Sequence, residues 1–156
     1  MLEKNSRLRE NLKVVADLLY NVAVIVVIVA VIKYTLASPF QVSGNSMLPN
    51  LHNQEFLIVD KLSYYLHEPE RGDIIVLIPP QDTEVYYVKR IIGLPGEKIE
   101  FLDGQVIIHS KDHPEGVKLD EPYLSADNAQ TYWPTHENKI IDIPQDNFFV
   151  MGDNRR

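Results

Sequence analysis

The chain opens with a long apolar stretch and then breaks into short apolar runs. From Val14 to Ala37 only Asp17, Asn21 and Lys33 interrupt the apolar residues, and Val22 to Ile32 is unbroken. As a helix, those roughly 24 residues rise about 36 Å, against about 30 Å of membrane hydrocarbon. The pattern predicts a transmembrane helix over residues 14–37, preceded by a cytoplasmic segment over 1–13. Asp17 and Lys33 then fall near opposite interfaces, with Tyr20 and Tyr34 as interfacial anchors. A buried core helix or a cleavable export signal would share this composition. The apolar region, however, exceeds the 7–15 residues of a signal's apolar core, so a retained anchor is the expectation.

After Pro39, β-rich runs alternate with Gly, Pro, Asp and Asn. Strands are expected at 56–59, 74–78, 85–92, 98–102, 105–108, 139–143 and 148–151. Asp103-Gly104 sits between two of them and reads as a two-residue hairpin turn, which needs positive φ at both positions. Residues 38–156 are therefore expected to be mainly β, a curled antiparallel sheet or barrel. The polar stretch 111–138 holds Pro114, Pro122 and Pro134 along with Tyr123, Tyr132 and Trp133, and reads as an excursion from the sheet. No repeat or nucleotide-binding glycine loop stands out.

Charge sets orientation and excludes one class of partner. Residues 1–37 hold Lys4, Arg7, Arg9, Lys13 and Lys33 against Glu3, Glu10 and Asp17, while the remaining 10 basic and 19 acidic residues leave the body at about minus nine. Basic residues ahead of the span put the N-terminus in the cytoplasm and the body outside it. An acidic body is a poor match for a phosphate backbone, so no nucleic-acid partner is expected. With no cysteine, disulfides, thiolate metal sites and a cysteine nucleophile are excluded.

His52, His67, His109, His113 and His136 are scattered and read as surface or loop residues, giving no metal site and no cofactor. A Ser-His-Asp triad is recognised by geometry rather than order, so the sequence leaves it open without favouring it. Two segments carry more. Ser43-Gly-Asn-Ser46-Met-Leu-Pro49 places two hydroxyls in a turn whose N–H groups could face an oxyanion, although a plain linker turn has the same composition. In Tyr87-Val-Lys89-Arg90-Ile-Ile92, strand alternation gives each face one cation among apolar neighbours. Arginine stays protonated, so of the two only Lys89 can act as a base once burial lowers its pKa. Snorkelling or an ion pair is the alternative for that lysine.

Five segments in order resemble the type I signal peptidases, the membrane-bound serine proteases that remove signal peptides from exported proteins. They are the N-terminal span, Ser43 to Leu51, Arg71-Gly-Asp-Ile-Ile75, Tyr87-Val-Lys-Arg-Ile-Ile-Gly-Leu-Pro-Gly96 and Gly152-Asp-Asn-Arg155. The resemblance implies Ser46 as nucleophile and Lys89 as general base, working through an acyl-enzyme without histidine. It implies an oxyanion and substrate-binding region at Gly44, Asn45 and Met47. Gly44 stands where some relatives carry a serine, which leaves the oxyanion to backbone N–H groups. Met47 and Leu48 are expected to present apolar surface toward the bilayer. Asp153 and Arg155 are expected as structural residues near the site, with Asp153 and Asn154 forming a turn. The implied partners are signal peptides with small residues at −1 and −3 and the lipid bilayer of the cell membrane; the oligomeric state is not implied.

The family continues past the Gly-Asp-Asn-Arg motif with a further serine, an Asp-Ser-Arg run and more sheet, so a chain stopping at Arg156 is expected to be a fragment. Two other functions compete. One is a self-cleaving Ser-Lys regulator, which the N-terminal span leaves without room for a DNA-binding region. The other is an inactive membrane-tethered β-domain that binds exported peptides without cutting them.

Overall fold

The protein is described by a computed structural model covering residues 2–131 and 139–155, with side chains from residue 11. Tyr132, Trp133, Pro134, His136 and Arg156 lie outside the described residues. The chain divides into two compact units, one of Met1–Pro39 with Ile58–His67, the other of Phe40–Leu57 with Glu68–Arg156.

In the first unit, helix α1 runs Leu2–Val31 and continues as a π-helical turn, Ile32–Leu36. The helix thus begins twelve residues or so ahead of the apolar stretch, because Leu, Glu, Lys and Arg between positions 2 and 13 are all good helix formers. It stops one residue short of the expected 37. Ala37 is already extended, and Pro39 disfavours helical backbone at Ser38. Asn11–Leu36 is long and apolar enough to cross a membrane, and none of its most apolar window is buried within the protein. A core helix would be enclosed; this one is consistent with a membrane anchor.

Two strands, β1 (Ala37–Gln41) and β2 (Phe56–Asp60), form a two-stranded sheet, and the division between the units crosses both of them. A single-turn helix, α2 (Ser63–Leu66), follows β2. Its start is held by Asp60, whose Oδ1 accepts from the Leu62 and Ser63 N–H groups at 2.8 and 3.2 Å. Neither β1 nor α2 is expected from the sequence pattern. The first carries a proline and the second is too short to show a helical period.

The second unit contains the remaining strands: β3 (Ile74–Leu77), β4 (Tyr87–Gly93), β5 (Lys98–Leu102), β6 (Gln105–His109), β7 (Val117–Lys118), β8 (Lys139–Asp142) and β9 (Phe149–Met151). They make a three-stranded sheet, β3-β4-β9, and a four-stranded sheet, β7-β6-β5-β8, with every pairing antiparallel. The fold is mainly β as expected, and among the described residues the sheets do not close into a barrel. The β5–β6 hairpin turns at Asp103 and Gly104 with φ of 49° and 75°, which meets the requirement read from Asp-Gly.

Period-two alternation builds the core. Ile99 and Phe101 of β5 and Val106 and Ile108 of β6 face inward, where they meet Ile92 of β4 and Ile143. Burying each such side chain contributes about 1.5–3 kcal/mol before entropy is counted. Phe149 and Met151 of β9 pack on the same cluster, so the core fixes β4 and β9 side by side. In that register Arg90 lies opposite Met151 on one side and Ile74 on the other, and Lys89 lies opposite Ile75.

Candidate active site

Tight turns shape the segment between β1 and β2. The Met47 carbonyl accepts from the N–H groups of Asn50 and Leu51, both at 3.0 Å, which closes the turn that carries Ser46. Met47 itself is only 2% exposed. This corrects the expectation of apolar surface toward the bilayer: its backbone anchors the turn and its side chain gains more from enclosure. The N–H of Gly44 donates to Asn53 Oδ1 at 3.0 Å.

Lys89 extends from the middle of β4, and its Nζ lies 2.6 Å from Ser46 Oγ. Partial burial pushes the Lys89 ammonium below its ordinary pKa, against a weaker opposing pull from the Asp153 carboxylate. A cleft of about 320 Å³ opens over the pair. Phe40, Val42, Leu57, Val76, Tyr86 and Val88 line its apolar wall, and Ser43, Gly44, Asn45, Ser46 and Lys89 its polar side. The Phe40 and Tyr86 rings stack obliquely with centroids 5.2 Å apart. Such a cleft suits an extended peptide with apolar side chains, beside a hydroxyl hydrogen-bonded to an amine.

The next residue, Arg90, points the other way. Its Nε and Nη2 meet the two carboxylate oxygens of Asp153 at 2.9 and 2.7 Å, its Nη1 donates to Gly72 O at 2.7 Å, and its guanidinium lies 3.9 Å from the Tyr123 ring centroid. Asp153 has no exposed surface, which corrects its reading as a plain turn-former. A charge so enclosed has to be paired, and Arg90 supplies the pair. Arg155 is also enclosed. It reaches Glu121 Oε1 at 2.5 Å, Thr131 Oγ1 at 2.8 Å and the Gly152 carbonyl at 2.7 Å.

Gly152 and Asn154 lie against the backbone of Ser46. The Asn154 N–H donates to Ser46 O at 3.0 Å and its side-chain amide to Asn45 O at 3.1 Å. A Cβ on Gly152 would stand 2.2 Å from that same Ser46 oxygen, so no side chain fits there. Arg71-Gly-Asp braces the lysine strand. Arg71 pairs with Glu97 at 2.6 Å and donates to Ile92 O, while the Gly72 N–H and Asp73 O exchange hydrogen bonds with Ile91.

The structure brings Gly44, Asn45, Ser46, Met47 and Lys89 to one cleft, with Asp153 and Arg155 behind it. Sequence reading gives no role to Asn50, Asn53 or Tyr123, which touch this assembly. An isolated cation on an apolar strand face does demand a carboxylate, and that signal could have paired Arg90 with Asp153. Of the histidines, His52 and His113 are exposed, and no metal-holding cluster occurs among the described residues. His109 differs from the surface-or-loop expectation. It ends β6, with Nε2 2.9 Å from Glu100 and Nδ1 3.1 Å from the Pro114 carbonyl oxygen.

The chain is similar to known proteins. The family described as signal peptidase, peptidase S26, matches residues 15–156. The chain belongs to the signal peptidase family. Signal peptidase I S of Bacillus subtilis (strain 168) is 39% identical over 140 residues, covering 86% of this chain and 71% of that protein. Signal peptidase I P of Bacillus subtilis subsp. natto is 32% identical over 160 aligned positions, covering 100% and 81%. A crystal structure of a signal peptidase I from Enterococcus faecalis V583 is 30% identical, covering 57% of this chain and 80% of that one, with a TM-score of 0.44. As a member of the family, the chain is a hydrolase, a protease of signal peptide processing.

Proposed function

We propose that this signal peptidase is a membrane-anchored serine endopeptidase in which Ser46 is the nucleophile and Lys89 the general base. The observation that carries the reading is the 2.6 Å contact between Lys89 Nζ and Ser46 Oγ in a peptide-sized cleft, with the lysine's pKa lowered by burial. In its neutral form the amine takes the Oγ proton as Oγ bonds to the scissile carbonyl carbon. The proton passes to the leaving nitrogen, the C–N bond breaks, and the mature protein departs. Water, deprotonated by Nζ, then attacks the ester carbon, the C–Oγ bond breaks as Nζ returns the proton to Ser46 Oγ, and the signal peptide leaves and ionises to its carboxylate.

Gly44 has its N–H engaged by Asn53, so the oxyanion donor in this reading is the Ser46 N–H, with Gly44 and Asn45 shaping the wall around it. Met47 supports the turn from within. Residues 1–13 lie in the cytoplasm, 14–37 span the cell membrane once, and 38–156 work outside, where signal peptides emerge. The basic residues ahead of the span and an apolar helix with none of its most apolar window buried support that topology.

Cleavage of a precursor by the full chain in detergent tests the chemistry. Ser46→Ala and Lys89→Arg each lose at least about 10²-fold in turnover, the usual scale for a missing nucleophile or base, and wild-type turnover in either sinks the assignment. The chain has no native cysteine, so single-cysteine labelling from each side of the membrane tests topology cleanly. A cysteine at Asn5 that labels from the outside overturns it.

A further inference from the structure

We propose that Asn50 is a positioning residue that holds Ser46 at its working distance from Lys89, an inference that rests on the Ser-Lys reading above. Both hydrogens of its side-chain amide are used: Nδ2 donates to Asp153 Oδ2 at 2.8 Å and to the Tyr123 carbonyl oxygen at 2.9 Å. Its own N–H closes the Ser46 turn on Met47 O.

Asp153 is the meeting point. Arg90, next to Lys89 on β4, binds both carboxylate oxygens, and Asn50 binds one of them from the Ser46 turn. The flanking residues Gly152 and Asn154 contact the other end of that turn at Ser46 O. The turn is therefore fastened at both ends to residues 152–154, and those residues are fastened through Arg90 to the lysine's strand. Asn50 is the side chain that completes the second fastening. It also ties in the 119–131 segment through Tyr123, whose ring carries the Arg90 guanidinium.

The role is one of alignment, so its loss reads out in turnover more than in binding. For Asn50→Ala, kcat on a precursor falls by about tenfold or more while KM stays within about twofold, since displacements near 1 Å cost up to about 10²-fold. Loosening the contact lets water reach Lys89, and the acid limb of the kcat/KM profile moves to higher pH. Asn50→Asp, which sets a second carboxylate against Asp153, moves it further in the same direction. Asn50→Gln, which keeps the amide donor, recovers part of kcat.

Thermal midpoints and titration of active sites with a serine-reactive phosphonate separate alignment from folding. Asn50→Ala with wild-type kcat and an unmoved limb overturns the proposal. So does a kcat loss that tracks only a smaller titratable fraction. Ser46→Ala and Lys89→Met run alongside. If both still turn over, the Ser-Lys reading itself has failed; if both are dead and Asn50→Ala is normal, only the role of Asn50 has.

Discussion

Arg90 and Asp153 meet through two parallel contacts, Nε to Oδ1 at 2.9 Å and Nη2 to Oδ2 at 2.7 Å, with the carboxylate fully enclosed and the guanidinium side chain 11% exposed. The planar fork of arginine fits a carboxylate in this way, and lysine cannot reproduce it. The pair joins the middle of β4 to the segment that follows β9, two pieces of chain 63 residues apart. Asp153 also holds the Arg90 pKa above its ordinary value, chiefly through the side-chain hydrogen bond.

Removing one member of this pair leaves the other charged and desolvated. Arg90→Ala is expected to destabilise the protein by about 3–5 kcal/mol, the range for a buried pair broken on one side. Replacing both by apolar residues of similar volume costs less, because no charge is then stranded. Urea unfolding of the single and double variants makes the comparison. A single variant within about 1 kcal/mol of wild type contradicts the enclosure of Asp153.

Gly152→Ala tests a steric claim. The added methyl carbon meets the Ser46 carbonyl oxygen at 2.2 Å, and backbone on both sides leaves little room for either to yield. Displacement of Ser46 relative to Lys89 is the expected result, with turnover reduced by up to about 10²-fold. Precursor cleavage, compared with near-ultraviolet circular dichroism to confirm a folded core, reads the effect. Undiminished turnover means that the turn around Ser46 is looser than these contacts describe.

The strands were legible because the β5 and β6 core positions Ile99, Phe101, Val106 and Ile108 recur at period two, and the Asp103-Gly104 turn has one strong conformational solution. Lys89 could be separated from Arg90 on chemistry alone. The place of Asp153 near the site was legible but its burial was not, since Gly-Asp-Asn has the composition of any exposed turn and the enclosure arises only when β9 docks beside β4. Asn50 is further out of reach. Its two partners lie 73 and 103 residues away, and no local period links them. The early start of α1 was hidden because charged residues that favour a helix look the same in a solvated tail.

His109 makes stability depend on pH. Its two ring nitrogens face the Pro114 carbonyl and the Glu100 carboxylate, two acceptors that only the doubly protonated ring can satisfy together. The Pro114 contact first, and Glu100 second, raise its pKa, against desolvation and, more weakly, the nearby Lys98. A histidine raised on folding adds stability that is complete below its unfolded pKa and lost as pH rises through the folded one. Unfolding measured from pH 5 to 9 should show that decline, and His109→Gln should flatten it. A decline unchanged in His109→Gln assigns it to other groups.

Lys89 has the opposite linkage, and the proposed base role would tie activity to a cost in stability. Burial lowers its pKa from 10.5, so between the folded and unfolded values the unfolded chain binds more protons and stability rises with pH. Below the folded value the desolvation penalty is felt in full. Lys89→Met removes both the penalty and the proposed base, so it should be more stable than wild type at neutral pH while failing to cleave. The wild-type kcat/KM profile should climb with pH through an acid limb centred below the free-lysine value, because only the neutral amine can take the Ser46 proton. A limb at 10.5 or above, or a Lys89→Met protein less stable than wild type at pH 7, contradicts a desolvated lysine acting as the base. A low limb with a stabilised, inactive Lys89→Met ties both effects to the amine that lies 2.6 Å from Ser46 Oγ.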